Sequence, residues 1–459
     1  MSRPALASGS PVRYPDISSQ PVMTRRAWVL VVLNILIPGS AQLLAGSRRL
    51  GRFGVGATFV LWALVIAAAV TFLFSRATIL TIISMSIGLI AIAVLLVFYA
   101  VLWLILTLDT LRLVRLVRAT PSARGWVAGL ATVLLVATSG TAAYGAFVAT
   151  TASNFVSNIF ITAPPKAPVD GRYNIMLLGG DSGPDRDGLR PDSITVVSID
   201  AETGAATIIG LPRNMAYVPF VEGSPLAAEY PNGYGADIGC EVDVCMLNSV
   251  YTEVELVSPE LYPDAVAQGS EPGIEGVRDA VEGITGLTVQ YYALIDMQGF
   301  LDLVDALGGV TVTVATAVPI HTDETFTEVA EWIGPGEVHL DGYHALWYAR
   351  SRHDTSDYDR MARQHQLQQA LLQQFTPANI LSQLQAVAAA GTRTVKTDIP
   401  QASLGYFVDL ASKTKNLPIT SVELVPDNDV DPEDPNYEYV RQLVATGVAP
   451  IPKADPTGG

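Results

Sequence analysis

The sequence contains little cysteine and histidine, with two Cys and five His residues in 459. A closed zinc site needs four ligands, and no His pair lies near Cys240 and Cys245, which disfavours a zinc centre there. No metal-ligand spacing connects the histidines, which are His321, His339, His344, His353 and His365. If this segment is exported to an oxidising compartment, we expect the two cysteines to form a disulfide.

Several familiar sites are also missing. The run "LLGGDSG" lacks the Lys-Ser/Thr pair of a phosphate-binding P-loop. No serine stands in a nucleophile-elbow motif. After Pro168 the chain has 15 Lys and Arg against 42 Asp and Glu, so it offers no basic field for nucleic acid.

The first 168 residues have the opposite composition, with 13 Lys and Arg against 2 Asp and Glu. Three apolar runs there are long enough to cross a bilayer: Gly54–Phe74, Ile79–Leu106 and Trp126–Val148. A fourth run, from Trp28, is interrupted by Pro38-Gly39. We interpret it as a hairpin that enters the membrane without crossing it, or alternatively as a fourth crossing.

Arginine-rich loops predict the topology, because short positive loops stay in the cytoplasm. Two such loops are expected inside, and they hold Arg48, Arg49, Arg52 and Arg112, Arg115, Arg118, Arg124. Alternation then places everything after Val148 outside, which predicts a multi-pass cell-membrane protein with an extracellular domain. The expected divisions are a cytoplasmic tail (1–25), a transmembrane region of about three crossings plus a hairpin or four crossings (26–150), a linker (151–168), an extracellular domain (169–450) and a flexible tail (451–459).

The exported part begins with three strand-like runs, "RYNIMLLGG", "SITVVSID" and "AATIIGLPRN". Their short connections favour an antiparallel meander. Such a meander brings Asp181, Arg190, Asp192 and Arg213 to one edge of the sheet. Two carboxylates at an edge suit a hard cation. Ordinary loop acids beside ordinary loop arginines are the alternative.

The spacing of apolar residues then alternates between that of a helix and that of a strand along "GIEGVRDAVEGITGLTVQYYALIDMQGFLDLVDALGGVTVTV". Val277, Val281 and Ile284 line one predicted helix, and Phe300, Leu301, Val304 and Leu307 line another. This mixture predicts α/β layers around one sheet.

The stretch "ARSRHDTSDYDRMARQ" gathers four arginines, Arg350, Arg352, Arg360 and Arg363. A helix that begins near Asp357 or Asp359 would place Arg360, Arg363 and Gln364 on its inward apolar stripe. Arg350 and Arg352, two residues apart, would point the same way in extended chain. Buried guanidinium groups need negative partners. Acidic side chains of the protein are one possible set of partners. The partner we favour is a pyrophosphate bound by the fork-shaped guanidinium donors.

Five blocks in order carry a resemblance to a known family: "NIMLLGGDSG", "RPDSITVVSID", "GLPRN", "LVDALGGV" and "ALWYARSRHDTSDYDRMARQ". Between about Asn174 and Gln364 the chain resembles the LytR-CpsA-Psr family. The resemblance implies an αβα-layered extracellular domain with an apolar tunnel for a polyprenyl tail. It also implies a phosphotransferase that moves a glycopolymer from a polyprenyl-pyrophosphate carrier onto peptidoglycan or a related cell-wall glycan.

The resemblance also implies residue roles. Asp181 and Asp192 would bind Mg²⁺ or another divalent cation. The pyrophosphate would be bound by Arg190, Arg213, Arg350, Arg352, Arg360, Arg363 and Gln364, and the catalytic group would be Arg190, Arg213, Arg350, Arg352 and Asp192. The sequence departs from the family's Pro-Arg-Asp at Asn214. This departure keeps open a non-catalytic polyisoprenoid-phosphate-binding or regulatory protein. A polyprenyl-pyrophosphate hydrolase, with water as the acceptor, is a further alternative.

Overall fold

The computed structural model describes residues 12–181, 189–242, 244–321, 328–351, 356–374 and 395–449, without the side chains of Ala77, Asp181 and His321. The chain divides into two compact units, Met1–Ser153 and Asn154–Gly459.

The first unit is helical. Its helices are α1 (Gln20–Leu36), α2 (Ser40–Ala45), α3 (Arg48–Phe74), α4 (Arg76–Ser84), α5 (Ser86–Val114), α6 (Pro121–Leu135) and α7 (Thr141–Ile159), which continues into the second unit. A π-helical turn, Val136–Gly140, joins the last two. In the described part of this unit, three helical stretches are long and apolar enough to cross a membrane: Arg48–Phe74, Ser86–Arg118 and Pro121–Ile159. We call them the candidate membrane spans.

Two features of this unit differ from the simplest reading of the sequence. The apolar run Ile79–Leu106, predicted as one crossing, is divided between α4 and α5, because the backbone of Met85 is extended. In addition, α7 continues to Ile159, into the segment predicted as a linker.

The interruption at Pro38-Gly39 separates α1 from α2. Gly39 has a φ of 97°, and a Cβ there would lie 2.6 Å from the backbone nitrogen of Val55. Only glycine fits this left-handed, closely packed position. The hydroxyl of Thr58 donates to the Pro38 carbonyl at 3.2 Å, which satisfies an acceptor that the break exposes.

The second unit contains ten strands in its described part. They are β1 (Arg172–Asp181), β2 (Arg190–Asp200), β3 (Ala206–Leu211), β4 (Tyr291–Asp296), β5 (Val310–Val314), β6 (Val318–His321), β7 (Val329–Ile333), β8 (Gly336–Leu340), β9 (Val395–Thr397) and β10 (Thr420–Glu423). Six of them form one mixed sheet in the order β10-β3-β2-β1-β4-β9. The antiparallel pairing of β1 with β2 and of β2 with β3 confirms the predicted meander.

The α-helices in the described part of this unit are α8 (Pro225–Glu229), α9 (Val250–Thr252), α10 (Pro272–Thr285), α11 (Met297–Ala306), α12 (Gly342–Arg350), α13 (Asp357–Gln374), α14 (Gln401–Thr414) and α15 (Tyr437–Val448). Alternate residues of β1 face opposite layers. Met176 packs with Val277 of α10, whereas Tyr173 packs with Leu410 of α14. The sheet therefore lies between helices, which confirms the predicted αβα layering. A disulfide joins Cys240 and Cys245 in the loop between α8 and α9.

Candidate functional site

The site begins at one edge of the large sheet. Asp181, the last residue of β1, pairs with Arg190, the first residue of β2, and Ile194 pairs with Leu211 at the end of β3. The edge predicted from the meander is therefore present in the backbone. The side chain of Asp181 and all of Arg352 lie outside the described residues.

Four charged side chains form a connected group at this edge, which we call the arginine–aspartate group: Asp192, Arg213, Asp357 and Arg360. Arg213 Nη1 donates to Asp192 Oδ1, and Arg213 Nε lies 3.7 Å from Asp357 Oδ2. Arg360 Nη2 lies 2.9 Å from the same Asp357 oxygen and donates to the Asp192 carbonyl at 3.3 Å. Thus β2, the segment after β3 and α13 meet through charge-assisted contacts.

This group is partly open to solvent. The side chains of Arg213, Asp192 and Asp357 are 23%, 24% and 25% exposed, whereas that of Arg360 is only 3% exposed. Arg360 is thus the buried member of the group, and Asp192, Arg213 and Asp357 are its accessible members. The prediction that Arg360 and Arg363 extend the inward stripe of their helix is confirmed, since both are buried with Leu367.

The start of α13 explains how Asp357 reaches this position. Ser356 Oγ accepts from the Asp359 backbone N–H at 3.1 Å, and Asp359 Oδ2 accepts from the Ser356 N–H at 2.8 Å. This reciprocal capping fixes the first turn. Hydrogen bonds from Ser356 also lower the pKa of Asp359. Sequence reasoning considered Asp357 only as a cap or an internal counter-charge, although the Ser-x-x-Asp spacing at 356–359 signals that Ser356 is the cap.

Arg363 and Gln364 both contact the C-terminal end of α12. Arg363 Nη2 donates to the Ser351 carbonyl at 2.5 Å, and Gln364 Nε2 donates to the Ala349 carbonyl at 3.2 Å. These carbonyls lie at the C-terminal end of α12, where a helix lacks internal donors. Burial lowers the pKa of Arg363. Both side chains therefore join α13 to α12, and their contact with a diphosphate stays a prediction.

Arg350 is the exposed last residue of α12. The expectation that Arg350 and Arg352 share a direction in extended chain is therefore wrong at Arg350, because this residue is helical. A basic residue at a helix C-terminus is favourable with the helix dipole.

A partly buried pair between α13 and β10 was missed by sequence reasoning, which treated His365 as an ordinary surface or core residue. The side chain of His365 contacts Glu423 of β10, and Ser421 Oγ donates to Glu423 at 2.5 Å. Burial disfavours the charge on Glu423, but these hydrogen bonds lower its pKa overall. A Cβ on Gly210 of β3 would lie 2.4 Å from both His365 and Glu423. The glycine therefore lets α13 pack closely against the sheet.

Asp181 and Asp192 at this edge of the sheet are residues of the type that binds a hard cation. Among the residues that the structure describes, no group of three or more His, Cys, Asp and Glu side chains could hold a metal ion. Asp192 is partly exposed, and Asp181 ends the neighbouring strand at the same edge. Two carboxylates leave the other positions of a Mg²⁺ shell for water and substrate oxygens, which is how Mg²⁺ is commonly held. The residue types thus fit the ion, and its binding stays a prediction.

Comparison with known proteins shows the family to which the chain belongs. The profile of the LytR_cpsA_psr family matches residues 141–443, more than half of the chain. The chain belongs to the LytR-CpsA-Psr family. The resemblance drawn from the five sequence blocks is thereby confirmed.

Individual relatives are distant. The cell wall biosynthesis protein LcpA of Corynebacterium glutamicum is 29% identical over 284 residues, which cover 55% of this chain and 51% of LcpA. The polyisoprenyl-teichoic acid–peptidoglycan teichoic acid transferase TagU of Bacillus mycoides is 26% identical over 254 residues, covering 55% of this chain and 67% of TagU. The crystal structure of B. subtilis TagV is 19% identical, with a TM-score of 0.42, and the match covers 61% of this chain and 98% of TagV. The chain thus spans about half the length of LcpA.

Proposed function

We propose that this LytR-CpsA-Psr protein is a multi-pass membrane phosphotransferase with its sheet domain outside the cell. It would move a glycopolymer from a polyprenyl-pyrophosphate carrier onto peptidoglycan or a related cell-wall glycan and release polyprenyl phosphate. The names of LcpA and TagU support cell-wall glycan chemistry of this class. The candidate membrane spans support a substrate that is itself anchored in the bilayer.

The observation that carries the proposal is the arginine–aspartate group. Arg213 and Arg360 reach the same sheet edge from different elements, and both contact Asp357. Guanidinium groups present several donors in a planar fork, which suits the oxygens of a diphosphate. The partly exposed Arg213 would contact the substrate, while the buried Arg360 would hold Asp357 and the backbone of Asp192 in place.

The reaction needs little covalent chemistry from the protein. An acceptor hydroxyl oxygen would form a bond to the phosphorus that carries the glycopolymer, as the bond from that phosphorus to the bridging oxygen breaks. Polyprenyl phosphate leaves with the bonding electrons, and the hydroxyl proton passes to a base or to solvent. Arg190, Arg213 and Arg350 would stabilise the charge that develops on the leaving phosphate. Mg²⁺, held by Asp181 and Asp192, would supply further charge neutralisation when bound.

The test uses the full-length protein in detergent with Mg²⁺ and a polyprenyl-pyrophosphate oligosaccharide, with and without a peptidoglycan acceptor. Release of polyprenyl phosphate and formation of the glycan phosphodiester are measured. Asp192→Asn should lower turnover at least about tenfold, which is about 1.4 kcal/mol of lost transition-state stabilisation. Arg352→Ala, chosen from the sequence, should have a similar effect.

A matched control lies on the same strand. Asp200 ends β2 and accepts hydrogen bonds from the following turn, at the end of the strand away from the site. Asp200→Asn should turn over like wild type. If Asp192→Asn and Arg352→Ala also do so, the site assignment is wrong. Lipid bound without turnover would instead indicate a binding or regulatory protein, and free glycosyl phosphate formed without acceptor would indicate a hydrolase.

A further inference from the structure

The outward face of α12 carries aromatic residues where a surface helix usually carries charges. At 100° per residue, Tyr343, Trp347 and Arg350 fall within about 60° of one line. Ala345 and Tyr348, on the opposite side, are 0% and 2% exposed, so this line points away from the core. Tyr343 is 46% exposed. We call Tyr343, Trp347 and Arg350 the aromatic face of α12.

The two rings of this face are held in a fixed arrangement. The ring centroids of Tyr343 and Trp347 lie 6.4 Å apart with an interplanar angle of 65°. Trp347 is half-buried and packs against the core cluster beneath α12. The face is therefore a rigid aromatic surface with little entropy to lose on binding.

Polar groups flank the rings. His344 Nδ1 lies 2.6 Å from Asp341 Oδ1, and its Nε2 lies 3.4 Å from Glu331 Oε2 of β7. The carboxylates of Asp341 and Glu331 remain 58% and 60% exposed. Hydrogen-bond acceptors thus stand beside an apolar surface, an arrangement that matches a pyranose ring, which has an apolar C–H face and a rim of hydroxyl donors.

The C-terminal end of the aromatic face lies beside α13. On either side of Arg350, the Ala349 and Ser351 carbonyls accept hydrogen bonds from Gln364 and Arg363 of α13, and the same helix carries Arg360 of the arginine–aspartate group. From Tyr343 to Arg350 the helix rises by about 10 Å, at about 1.5 Å per residue. A glycan attached to a diphosphate near the arginines would meet this line with its first sugars if it followed the exposed side of α12.

We propose that the aromatic face of α12 is a glycan subsite, which binds the sugars next to the diphosphate of the lipid-linked donor. This inference rests on the proposed function, because the diphosphate position sets the end of the glycan. The flanking carboxylates argue against a membrane surface as occupant, since anionic lipid surfaces attract basic residues. They suit a neutral, hydroxyl-rich ligand instead.

The experiment compares two lipids bound to the full-length protein in detergent: a polyprenyl diphosphate bearing an N-acetylglucosamine disaccharide and the same polyprenyl diphosphate without sugar. Tyr343→Ser and Trp347→Leu should each weaken binding of the first lipid about threefold to tenfold, the range expected for one lost aromatic contact. Binding of the bare lipid should not change. Leucine is chosen at 347 to keep the packing against the core.

Tyr439→Ser is the matched control, because Tyr439 is an exposed tyrosine at 36% on α15, another helix of the same unit. It should leave both affinities unchanged. Variants at 343 and 347 that weaken both lipids equally, or neither, overturn the subsite.

Failure of the proposed function gives a different result. If wild-type protein binds neither lipid, the diphosphate site is wrong. Titration with the free disaccharide alone then tests the aromatic face of α12. Disaccharide binding that Tyr343→Ser weakens supports a sugar site there, and the absence of disaccharide binding to wild-type protein overturns it.

Discussion

Replacing Arg213 by lysine tests whether the geometry of the guanidinium matters beyond its charge. Arg213 reaches Asp192 through Nη1 and Asp357 through Nε, the second contact being 3.7 Å long. A lysine ammonium is a point charge on a flexible stem, so Arg213→Lys should keep one of these contacts and lose the other.

Of the two contacts, only that between Nη1 and Asp192 is a hydrogen bond, since 3.7 Å is too long for one. A hydrogen bond to a charged group is worth about 1.5–3 kcal/mol, and we expect its loss to release the side chain from the position in which it would meet the diphosphate. The three side chains are about a quarter exposed, so solvent screening reduces this to about 1–2 kcal/mol. A barrier raised by that amount lowers kcat/KM about 5- to 30-fold. The assay is release of polyprenyl phosphate by full-length protein under subsaturating donor.

Arg441→Lys is the control for this substitution. Arg441 Nη1 donates one hydrogen bond, to the Gly283 carbonyl at 2.8 Å, and a lysine can replace a single bond of this kind. Its kcat/KM should equal that of wild type. If Arg213→Lys also matches wild type while its thermal midpoint is unchanged, then Arg213 acts only through charge, and our reasoning from its two contacts is refuted.

Two further predictions concern stability. Asp398→Asn should destabilise the protein by about 3–5 kcal/mol, seen as a lower thermal midpoint, because the buried Arg278 loses a carboxylate at 2.7 Å; an unchanged midpoint would contradict this. Burial raises the pKa of Asp279 from 3.8 to about 6, so the folded state holds this proton more tightly, and the contribution of Asp279 to stability should fall as the pH rises from about 4 to 6. The free energy of unfolding of Asp279→Asn should therefore equal that of wild type near pH 4 and exceed it at pH 7 by up to about 3 kcal/mol. Equal pH profiles of the thermal midpoint for the two proteins would contradict the raised pKa.

Local patterns in the sequence determined much of this protein. Apolar runs of sufficient length identified the candidate membrane spans, and short connections between strand-like runs identified the meander. Because antiparallel neighbours reverse at each turn, the same pattern was enough to place Asp181, Arg190, Asp192 and Arg213 at one edge of the sheet. The ordered blocks from Asn174 to Gln364 were specific enough to indicate the family.

The tertiary structure decided which charges meet. Arg360 and the Asp192 carbonyl are 168 positions apart, and His365 and Glu423 are 58 apart. No local periodicity encodes such contacts, because they depend on how α13 packs against β3 and β10. For the same reason, the roles of Asp357 as a bridge and of Gln364 as a helix cap became visible only in three dimensions. Sequence fixes which side chains share a face of one element, whereas packing of distant elements fixes which faces come together.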